Sequence, residues 1–334
     1  MTIANEITRI SNAKAAIKQS IENKGVTVSD TAKLDEYPAL IDSISGEGGS
    51  VDAGYWPKFF EARTKNLTDL KYAFANIEAK ETDTDIKNLI ENLDTSKVKE
   101  IRNAFEQFGA YSKPLKFLDL TKWNVEKVNN GFDKVFYFCR SSIDISGWKF
   151  TKVNSLYQFT YYSYATTIVM RNCDTSTINN MSYCFGYCED LVSVDITGCD
   201  TSKVTNMNYT FNNSKKLVDI IGEIDASSLS NGFYPGSGSA PFYSCNALET
   251  VYIKNIYKDI PVTNVAKYSL NLANTKVKDE CLIYIINELP DLINDKGLTA
   301  TDKIVLTLPP TNTLTSEQVQ PALDKGWNVA NTNY

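Results

Sequence analysis

The 334-residue sequence contains no histidine. That absence excludes Ser-His and Cys-His activation of a nucleophile, and it excludes every metal site that needs an imidazole ligand. Only carboxylates, lysine, tyrosine and cysteine remain for acid–base catalysis. The composition therefore favours a protein that is not an enzyme, and we expect no catalytic residue, no metal site and no cofactor.

Long apolar runs are missing as well. No run approaches the roughly 18 apolar residues that a membrane-spanning helix needs. Residues 1–20, MTIANEITRISNAKAAIKQS, lack the apolar core and cleavage site of a secretory signal. We therefore expect neither a membrane span nor export through such a signal.

Neither charge nor cysteine spacing points to a special class of protein. Lysine and arginine number 34 against 40 acidic residues, a formal charge of −6, so the chain has no basic footprint for nucleic acid. The seven cysteines form no disulfide-like framework, and we expect reduced, buried thiols in a protein made in a cytoplasm. The apolar content of 43% indicates a folded chain with a sizeable core.

Apolar residues recur at a nearly fixed period. One column of apolar positions recurs at nearly equal steps, of which only the first is longer. The column contains Val98, Val128, Val153, Ile178, Val204 and Leu229. Five positions before each of these lies a second column: Leu93, Trp123, Trp148, Cys173, Cys199 and Ile224. A fixed period in this range predicts a solenoid of stacked supersecondary units. The fold class is therefore predicted to be α/β, a leucine-rich-repeat solenoid with a period of about 25 residues.

The unit of the repeat is visible in residues 191–199, LVSVDITGC. The frame L-x2-V-x-I-x2-C recurs at residues 115–123 and 248–256, and it is the pattern of leucine-rich repeats. It predicts a short strand on which Val194 and Ile196 point inward, with Asp195 left to the exposed side or a turn. The next segment, Val204-x2-Met207-x3-Phe211, has spacings typical of a short helix or 3₁₀ turn on the opposite edge.

One polar column admits two interpretations. It contains Asp94, Asp174, Asp200 and Asp225, and a carboxylate ladder of this kind could bind calcium along the spine. The same residues could instead cap a turn that repeats because the unit repeats. Asn124 and Lys149 interrupt the column, which favours turn capping.

The sequence INNMSYCFGYCEDLVSVDITGCDTSKVTNMNYTF resembles the leucine-rich repeats of bacterial BspA-type surface proteins. The matching features are the NM-x3-F start, the L-x2-V-D-I strand and the CDTSKV return. The resemblance covers about residues 66–256 and is strongest over residues 178–211. It implies a curved binding scaffold and not an enzyme.

The N-terminal residues have a different pattern. Steps of four, three, four, three and four positions connect Ile3, Ile7, Ile10, Lys14, Ile17 and Ile21, the a/d seam of a coiled coil. Isoleucine at both the a and the d positions favours a coiled coil of three or four helices. The five isoleucines are therefore candidate residues for attachment and for forming a homotrimer. An amphipathic helix that docks on its own chain is the alternative. ITRISNAKAAIKQSIENKGVTV, followed by Y-x2-LIDSI, also resembles N-terminal modules of phage tail and fibre proteins, which implies attachment to a particle.

These patterns divide the chain into four predicted regions: a helical module at 1–45, a glycine-rich linker at 46–54, the solenoid at 55–258 and a capping domain at 259–334. In the last region, DECLIYIINELPDL predicts a helix and KIVLTLP a strand with Ile304, Leu306 and Leu308 on one face. Thr315 to Gln318 has the pattern of a capping box.

The densest aromatic stretch is YQFTYYSY, residues 157–164. Phe159 falls in the column of Phe185 and Phe211 and is predicted to be core. The remaining tyrosines are candidate ligand-binding residues, together with two aromatic residues of a glycine-rich loop at 231–243: Tyr157, Tyr161, Tyr162, Tyr164, Phe233 and Tyr234. Exposed tyrosines offer rigid, amphipathic contact area for protein or for sugar rings.

Taken together, the sequence favours a noncatalytic phage virion protein, a head or tail fibre or appendage located in the virion. Its expected partners are further copies of itself, other virion proteins and a host-surface glycan or protein. A BspA-type bacterial surface adhesin is the main alternative. A polysaccharide-cleaving enzyme is the second, and it would need two carboxylates facing each other across a groove.

Overall fold

The computed structural model describes residues 17–19, 21–22, 28–29, 67–230, 240–258, 269–298 and 304–331. The chain divides into two compact units, Met1–Ala62 and Arg63–Tyr334. In the first unit, residues 17–19 and 21–22 are helical, Ile21 is buried and Ile17 is half-buried. Ile3, Ile7 and Ile10 lie outside the described residues, so the predicted coiled-coil seam stays a prediction.

The second unit contains a parallel sheet of six strands in chain order. The strands are β1 (Phe117–Asp119), β2 (Ser142–Asp144), β3 (Thr167–Val169), β4 (Ser193–Asp195), β5 (Asp219–Asp225) and β6 (Thr250–Lys254). One buried residue from each of the first five strands stands in register with the next: Leu118, Ile143, Ile168, Val194 and Ile220. The repeat returns each strand beside the last, which confirms the predicted solenoid.

A helix that the sequence patterns did not predict, α1 (Thr84–Glu91), precedes the sheet and buries Ile86 and Ile90. Within the repeats, Val194 and Ile196 point inward as predicted, with 0% and 3% of their surfaces exposed. The expectation for Asp195 was wrong, because this residue is 3% exposed. Its carboxylate accepts a hydrogen bond from the Thr197 N–H at 3.0 Å and pairs with Arg171 Nε at 2.5 Å.

The column that contains tryptophan and cysteine has a common bonding pattern. Trp123 Nε1 donates to the Ile90 carbonyl and Trp148 Nε1 donates to the Leu120 carbonyl, both at 2.8 Å. Two rungs on, Cys199 Sγ donates to the Met170 carbonyl at 3.0 Å. Indole and thiol are both apolar groups with one donor, so either can fill the column and satisfy a buried carbonyl of the preceding rung.

A second ladder alternates cysteine with serine in the same way. Ser163 Oγ donates to the Cys139 carbonyl at 2.8 Å, and Cys188 Sγ donates to the Thr160 carbonyl at 3.1 Å. Ser214 Oγ and Cys245 Sγ continue the pattern in the following rungs. All seven cysteines are free thiols and six of them are buried, as the sequence predicted.

The edge opposite the strands is built from turns, and the predicted helix or 3₁₀ turn is not found there in the described residues. Tyr183 and Tyr187 have φ values of 58° and 56°, which stop a helix from propagating. Alternate N–H groups then bond to the next rung, as from Tyr183 to the Asn208 carbonyl at 2.9 Å. These bonds stack turn on turn.

The repeated turns fix the alignment of the rungs, which differs by one position from the predicted alignment. The left-handed residues Gln158 and Tyr183 occupy equivalent positions. The bridge between Ser155 and Asn180 agrees with this register. Thr160, not Phe159, is therefore equivalent to Phe185, although Phe159 is fully buried as predicted.

The polar column caps turns, as the sequence favoured. Oδ1 of Asp94, Asp174, Asp200 and Asp225 accepts a hydrogen bond from the backbone N–H two positions later. Asn124 makes the same bond to Glu126. Bonds from Ser96 and Ser176 hold the pKa values of Asp94 and Asp174 below the ordinary value.

A three-stranded parallel sheet lies near the C-terminus, formed by β7 (Leu270–Asn271), β8 (Val305–Thr307) and β9 (Asn328–Ala330). Helix α2 (Asp279–Glu288) and helix α3 (Ser316–Asp324) accompany it. The helix in DECLIYIINELPDL and the strand in KIVLTLP are confirmed. So is the capping box between Thr315 and Gln318. The predicted domain boundaries stay predictions.

Candidate ligand-binding surface

The turns of the solenoid carry a connected group of aromatic side chains on the outside of the core. Each ring contacts at least one other ring of the group, with centroids 4.4–6.4 Å apart. We call this surface the aromatic face. It consists of Tyr137, Phe138, Tyr157, Tyr161, Tyr162, Tyr164, Tyr183, Tyr187 and Tyr209.

The backbone of the turns sets where these rings stand. Phe138, Tyr162 and Tyr187 occupy one left-handed column, with φ values between 54° and 58°. Tyr183 and Tyr209 belong to the other left-handed column, with φ values of 58° and 59°. Such a conformation is uncommon for residues other than glycine and costs about 1–2 kcal/mol each. The stacking bonds between rungs hold it in place.

The rings pack along the axis of the stack. Phe138 and Tyr162 are parallel within 4°, with centroids 5.1 Å apart. Tyr183 and Tyr209 are parallel within 12° at 4.5 Å. Each of these rings therefore has one face covered by its neighbour.

Gly186 allows two rungs to approach closely beside the aromatic face. A Cβ atom on Gly186 would lie 2.6 Å from the Tyr209 carbonyl oxygen and 3.5 Å from a carbon of the Tyr161 ring. The second distance is an ordinary van der Waals contact, whereas the first is too short. A larger residue at position 186 would therefore displace the backbone at Tyr209.

The structure brings together all four described tyrosines that the sequence singled out. Tyr157 and Tyr164 are 37% and 38% exposed, whereas Tyr161 and Tyr162 are half-buried. Phe233 and Tyr234, the other two candidates, lie outside the described residues. A role of any of these residues in binding a ligand stays a prediction.

Sequence reasoning missed the other five members of the aromatic face: Tyr137, Phe138, Tyr183, Tyr187 and Tyr209. A signal for them was present, because Tyr162 and Tyr187 lie one repeat apart. Aligning the rungs on the turn residues, rather than on the apolar columns, would have placed these aromatic residues beside one another.

Two cations border the aromatic face. Lys134 Nζ lies 5.2 Å from the centre of the Tyr137 ring. The Arg140 guanidinium lies 3.8 Å from the centre of the Tyr111 ring and 5.2 Å from that of Tyr164. Contacts of this kind hold the cation by the ring quadrupole, and Arg140 Nη1 also donates to the Gly109 carbonyl at 3.4 Å.

Three phenol groups of the aromatic face, those of Tyr137, Tyr161 and Tyr183, have raised pKa values. Burial raises the pKa of Tyr137 and Tyr183 above the ordinary value. Burial and a hydrogen bond with Tyr162 raise the pKa of Tyr161 strongly. Each of these hydroxyl groups can therefore both donate and accept a hydrogen bond.

The cysteines lie in a different environment. Burial raises the pKa of Cys139, Cys188 and Cys245 to about 12, so these thiols are protonated donors and not nucleophiles. Among the residues that the structure describes, no group of three or more His, Cys, Asp or Glu side chains could hold a metal ion. No helix in the same set of residues is long and apolar enough to cross a membrane.

Comparison with known protein families identifies a match. The family model described as "Mycoplasma protein of unknown function, DUF285" matches residues 59–170 and 158–234, which together cover more than half of the chain. No curated protein and no solved structure matches the chain.

Proposed function

The chain belongs to the DUF285 family, and from this premise we propose that it is a noncatalytic binding protein whose aromatic face contacts a glycan or protein on a host surface. The observation that carries the proposal is the aromatic face itself. Nine connected rings lie outside the apolar core, and five of them stand on left-handed backbone conformations that are costly for residues with side chains. Equivalent left-handed positions of the repeat hold Asn103, Gln107 and Lys134, so the turns themselves do not require aromatic side chains, whereas recognition of a ligand would use them.

The chemistry of the surface supports recognition. Tyrosine supplies a large contact area with only two rotatable side-chain bonds, so little conformational entropy is lost when it binds. The rings of the aromatic face already pack against one another, which lowers that loss further. Partly exposed hydroxyl groups add hydrogen bonds that an aliphatic patch could not provide.

Within this proposal, the favoured setting is a phage particle in which the chain is a fibre or appendage. The support for it is the isoleucine seam of residues 3–21 and the resemblance of residues 1–45 to phage modules. The second candidate is a bacterial surface adhesin. The family description names Mycoplasma proteins, which supports a cellular origin.

Binding of the purified chain to bacterial envelopes from the source culture tests the function. We expect the double variant Tyr162→Ala/Tyr187→Ala to bind at least about tenfold more weakly, because it removes two connected rings from the aromatic face. Tyr72→Ala is the matched control. Tyr72 has a left-handed backbone (φ 55°) and is 52% exposed, but it is not part of the aromatic face. Equal binding by the double variant and the control would overturn the proposal.

Peptide mass spectrometry of purified phage particles tests the setting. Stoichiometric recovery of the chain would support the virion proposal, and recovery only from bacterial envelope fractions would support the adhesin.

Light scattering of the intact protein tests the proposed trimer, with Ile10→Asp/Ile17→Asp as the variant that should dissociate it.

A turnover assay on host polysaccharide tests the enzyme alternative, and product release would overturn the noncatalytic proposal.

A further inference from the structure

An open groove of about 780 Å³ lies beside the aromatic face and borders Tyr157. One wall comes from residues 129–133 and the other from residues 151–157, which belong to the next rung, while Thr177 and Asn180 of the rung after that complete the lining. Its volume falls within the range of about 300–1,000 Å³ that is common for small-ligand sites. The groove therefore has room for one or two sugar rings.

The groove opens where two neighbouring rungs lack backbone bonds just before the turn, although the turn itself keeps bonds from Phe136 to the Phe159 carbonyl and from Phe138 to the Tyr161 carbonyl. Elsewhere the same carbonyl position accepts two N–H groups from the next rung, as Lys99 does from Asn129 and Asn130. Asn154 likewise accepts from Asn179 and Asn180. Within the described residues, no such bond reaches the Asn129 carbonyl from Asn154 or Ser155.

An inserted residue accounts for the missing bonds. The apolar column and the first left-handed residue of the following turn are five positions apart in Val153 to Gln158 and in Ile178 to Tyr183. They are six apart in Val128 to Lys134. The extra residue comes with Gly131, whose φ of 96° suits glycine. This wall of the groove therefore bulges away from the next rung.

The side chains of the groove have unused hydrogen-bonding capacity. Asn129, Asn130 and Asn154 are exposed, and the structure gives their amide groups no hydrogen-bond partner among the described residues. Asp133 is half-buried and is the one acidic residue of the lining. Lys152 adds a single cation, so the two charges offset each other.

We propose that this groove is a subsite for a neutral sugar unit of the host-surface ligand, held by Asn129, Asn130 and Asn154. The inference rests on the proposed function and names its ligand class. Planar amides donate and accept at once, which matches the vicinal hydroxyl groups of a sugar. Tyr157, a member of the aromatic face, borders the groove and adds a partly exposed ring to it. Val153 is the only aliphatic residue of the lining, which disfavours a peptide with an apolar anchor.

The test uses an array of immobilised oligosaccharides that contains neutral hexose and N-acetylhexosamine probes beside sialylated and uronate-bearing probes. We expect the full chain to bind neutral probes. The double variant Asn129→Ala/Asn154→Ala should bind them at least about tenfold more weakly. Asn246→Ala is the matched control, because Asn246 is exposed and lies outside the groove. Thermal unfolding by circular dichroism checks that each variant remains folded.

A second variant keeps the inference testable if the double variant does not fold. Deletion of Gly131 should close the groove and weaken binding of the neutral probes, while every amide of the groove remains. Binding of acidic probes alone, of peptide ligands alone, or of neutral probes equally by the Asn variants and the control would overturn the inference. Envelope binding that depends on Tyr162 and Tyr187 would survive each of those outcomes, so the failure of the subsite and of the proposed function are distinguishable.

Discussion

Two neighbouring junctions of the solenoid differ in one respect. At the junction of Asn154 with the next rung, the carbonyl of Asn154 accepts N–H groups at 2.9 and 3.1 Å. At the preceding junction, the Asn129 carbonyl receives no such bond within the described residues. The same two rungs nevertheless remain closely packed on the other side, where Trp123 and Trp148 are parallel within 9° with centroids 6.1 Å apart.

The comparison shows that the two sides of a rung are specified separately. The strand side depends on apolar columns and on donors that satisfy carbonyls of the preceding rung. The turn side depends on the number of residues between the column and the first left-handed residue. One additional residue can therefore open a groove on the turn side without separating the rungs.

The largest expected effect comes from removing the contact that keeps the open junction together. Trp148→Ala removes a side chain that is 1% exposed and its hydrogen bond to Leu120. We expect the free energy of unfolding to fall by about 3–5 kcal/mol, as measured by urea denaturation. Phe117→Ala, at a strand position that is 39% exposed, should change it by less than about 0.5 kcal/mol. A small loss in Trp148→Ala would show that the strand side does not hold this junction.

A smaller effect is expected at Asp195, which lies at a closed junction. Burial alone would raise the pKa of Asp195, but hydrogen bonds from Thr197 and the Arg171 guanidinium hold it below the ordinary value. Asp195→Ala should cost about 1–3 kcal/mol, because Thr197 loses its buried acceptor. Equilibrium unfolding of the variant and of the parent chain measures this difference.

Acid should act on the turn caps throughout the repeats. A carboxyl group whose pKa is lowered by folding stabilises the protein above its ordinary pKa and loses that contribution as pH falls through the folded value. The pKa values of Asp94, Asp119, Asp174, Asp195 and Asp200 are all lowered from 3.8. We expect the melting temperature to decline below about pH 4, and a constant value down to about pH 2 would contradict the proposed role of the caps.

Deletion of Gly131 tests whether the extra residue is the cause of the open junction. Without the extra residue, the N–H groups of Asn154 and Ser155 should bond to the Asn129 carbonyl, as their equivalents do at the next junction. A bond worth about 0.5–1.5 kcal/mol should slow amide exchange at these two positions about tenfold. Unchanged exchange, measured by hydrogen–deuterium NMR against the Asn179 and Asn180 amides, would mean that the insertion is not the cause of the opening.

The smallest effect concerns the left-handed turns. Tyr72→Gly relieves the strain of a φ of 55° at an exposed position, so we expect a gain of up to about 1 kcal/mol. Tyr183→Gly relieves the same strain but loses the stacked contact with Tyr209, worth about 0.5–1.5 kcal/mol. Chemical denaturation should therefore place Tyr72→Gly above Tyr183→Gly in stability. The reverse order would show that the rings of the aromatic face contribute nothing.

The sequence predicted the features that depend on spacing within one repeat. The columns of Val194 and Ile196, the caps at Asp174 and Asp200, and the capping box at Thr315 all follow from local patterns. These patterns act over a few residues and need no knowledge of the neighbouring rung.

The features that depend on contacts between rungs were not predictable in the same way. Asp195 is buried because Arg171 of the preceding rung covers it, and no local pattern records that pairing. The left-handed turns contain tyrosine where glycine would have signalled them. The insertion at Gly131 was hidden because Val128 and Val153 keep the usual separation of one repeat, while the turns that follow them are closer together by one position.

The thiol ladders give the molecule its own set of reporters. A thiol that donates to a carbonyl of the preceding rung, and whose pKa is raised by burial, reacts with an alkylating reagent only after the two rungs separate. Buried Cys173, Cys188 and Cys245 make this bond, and so does Cys199, which is half-exposed. The order in which they are labelled in mild denaturant would therefore map, rung by rung, where the solenoid first comes apart.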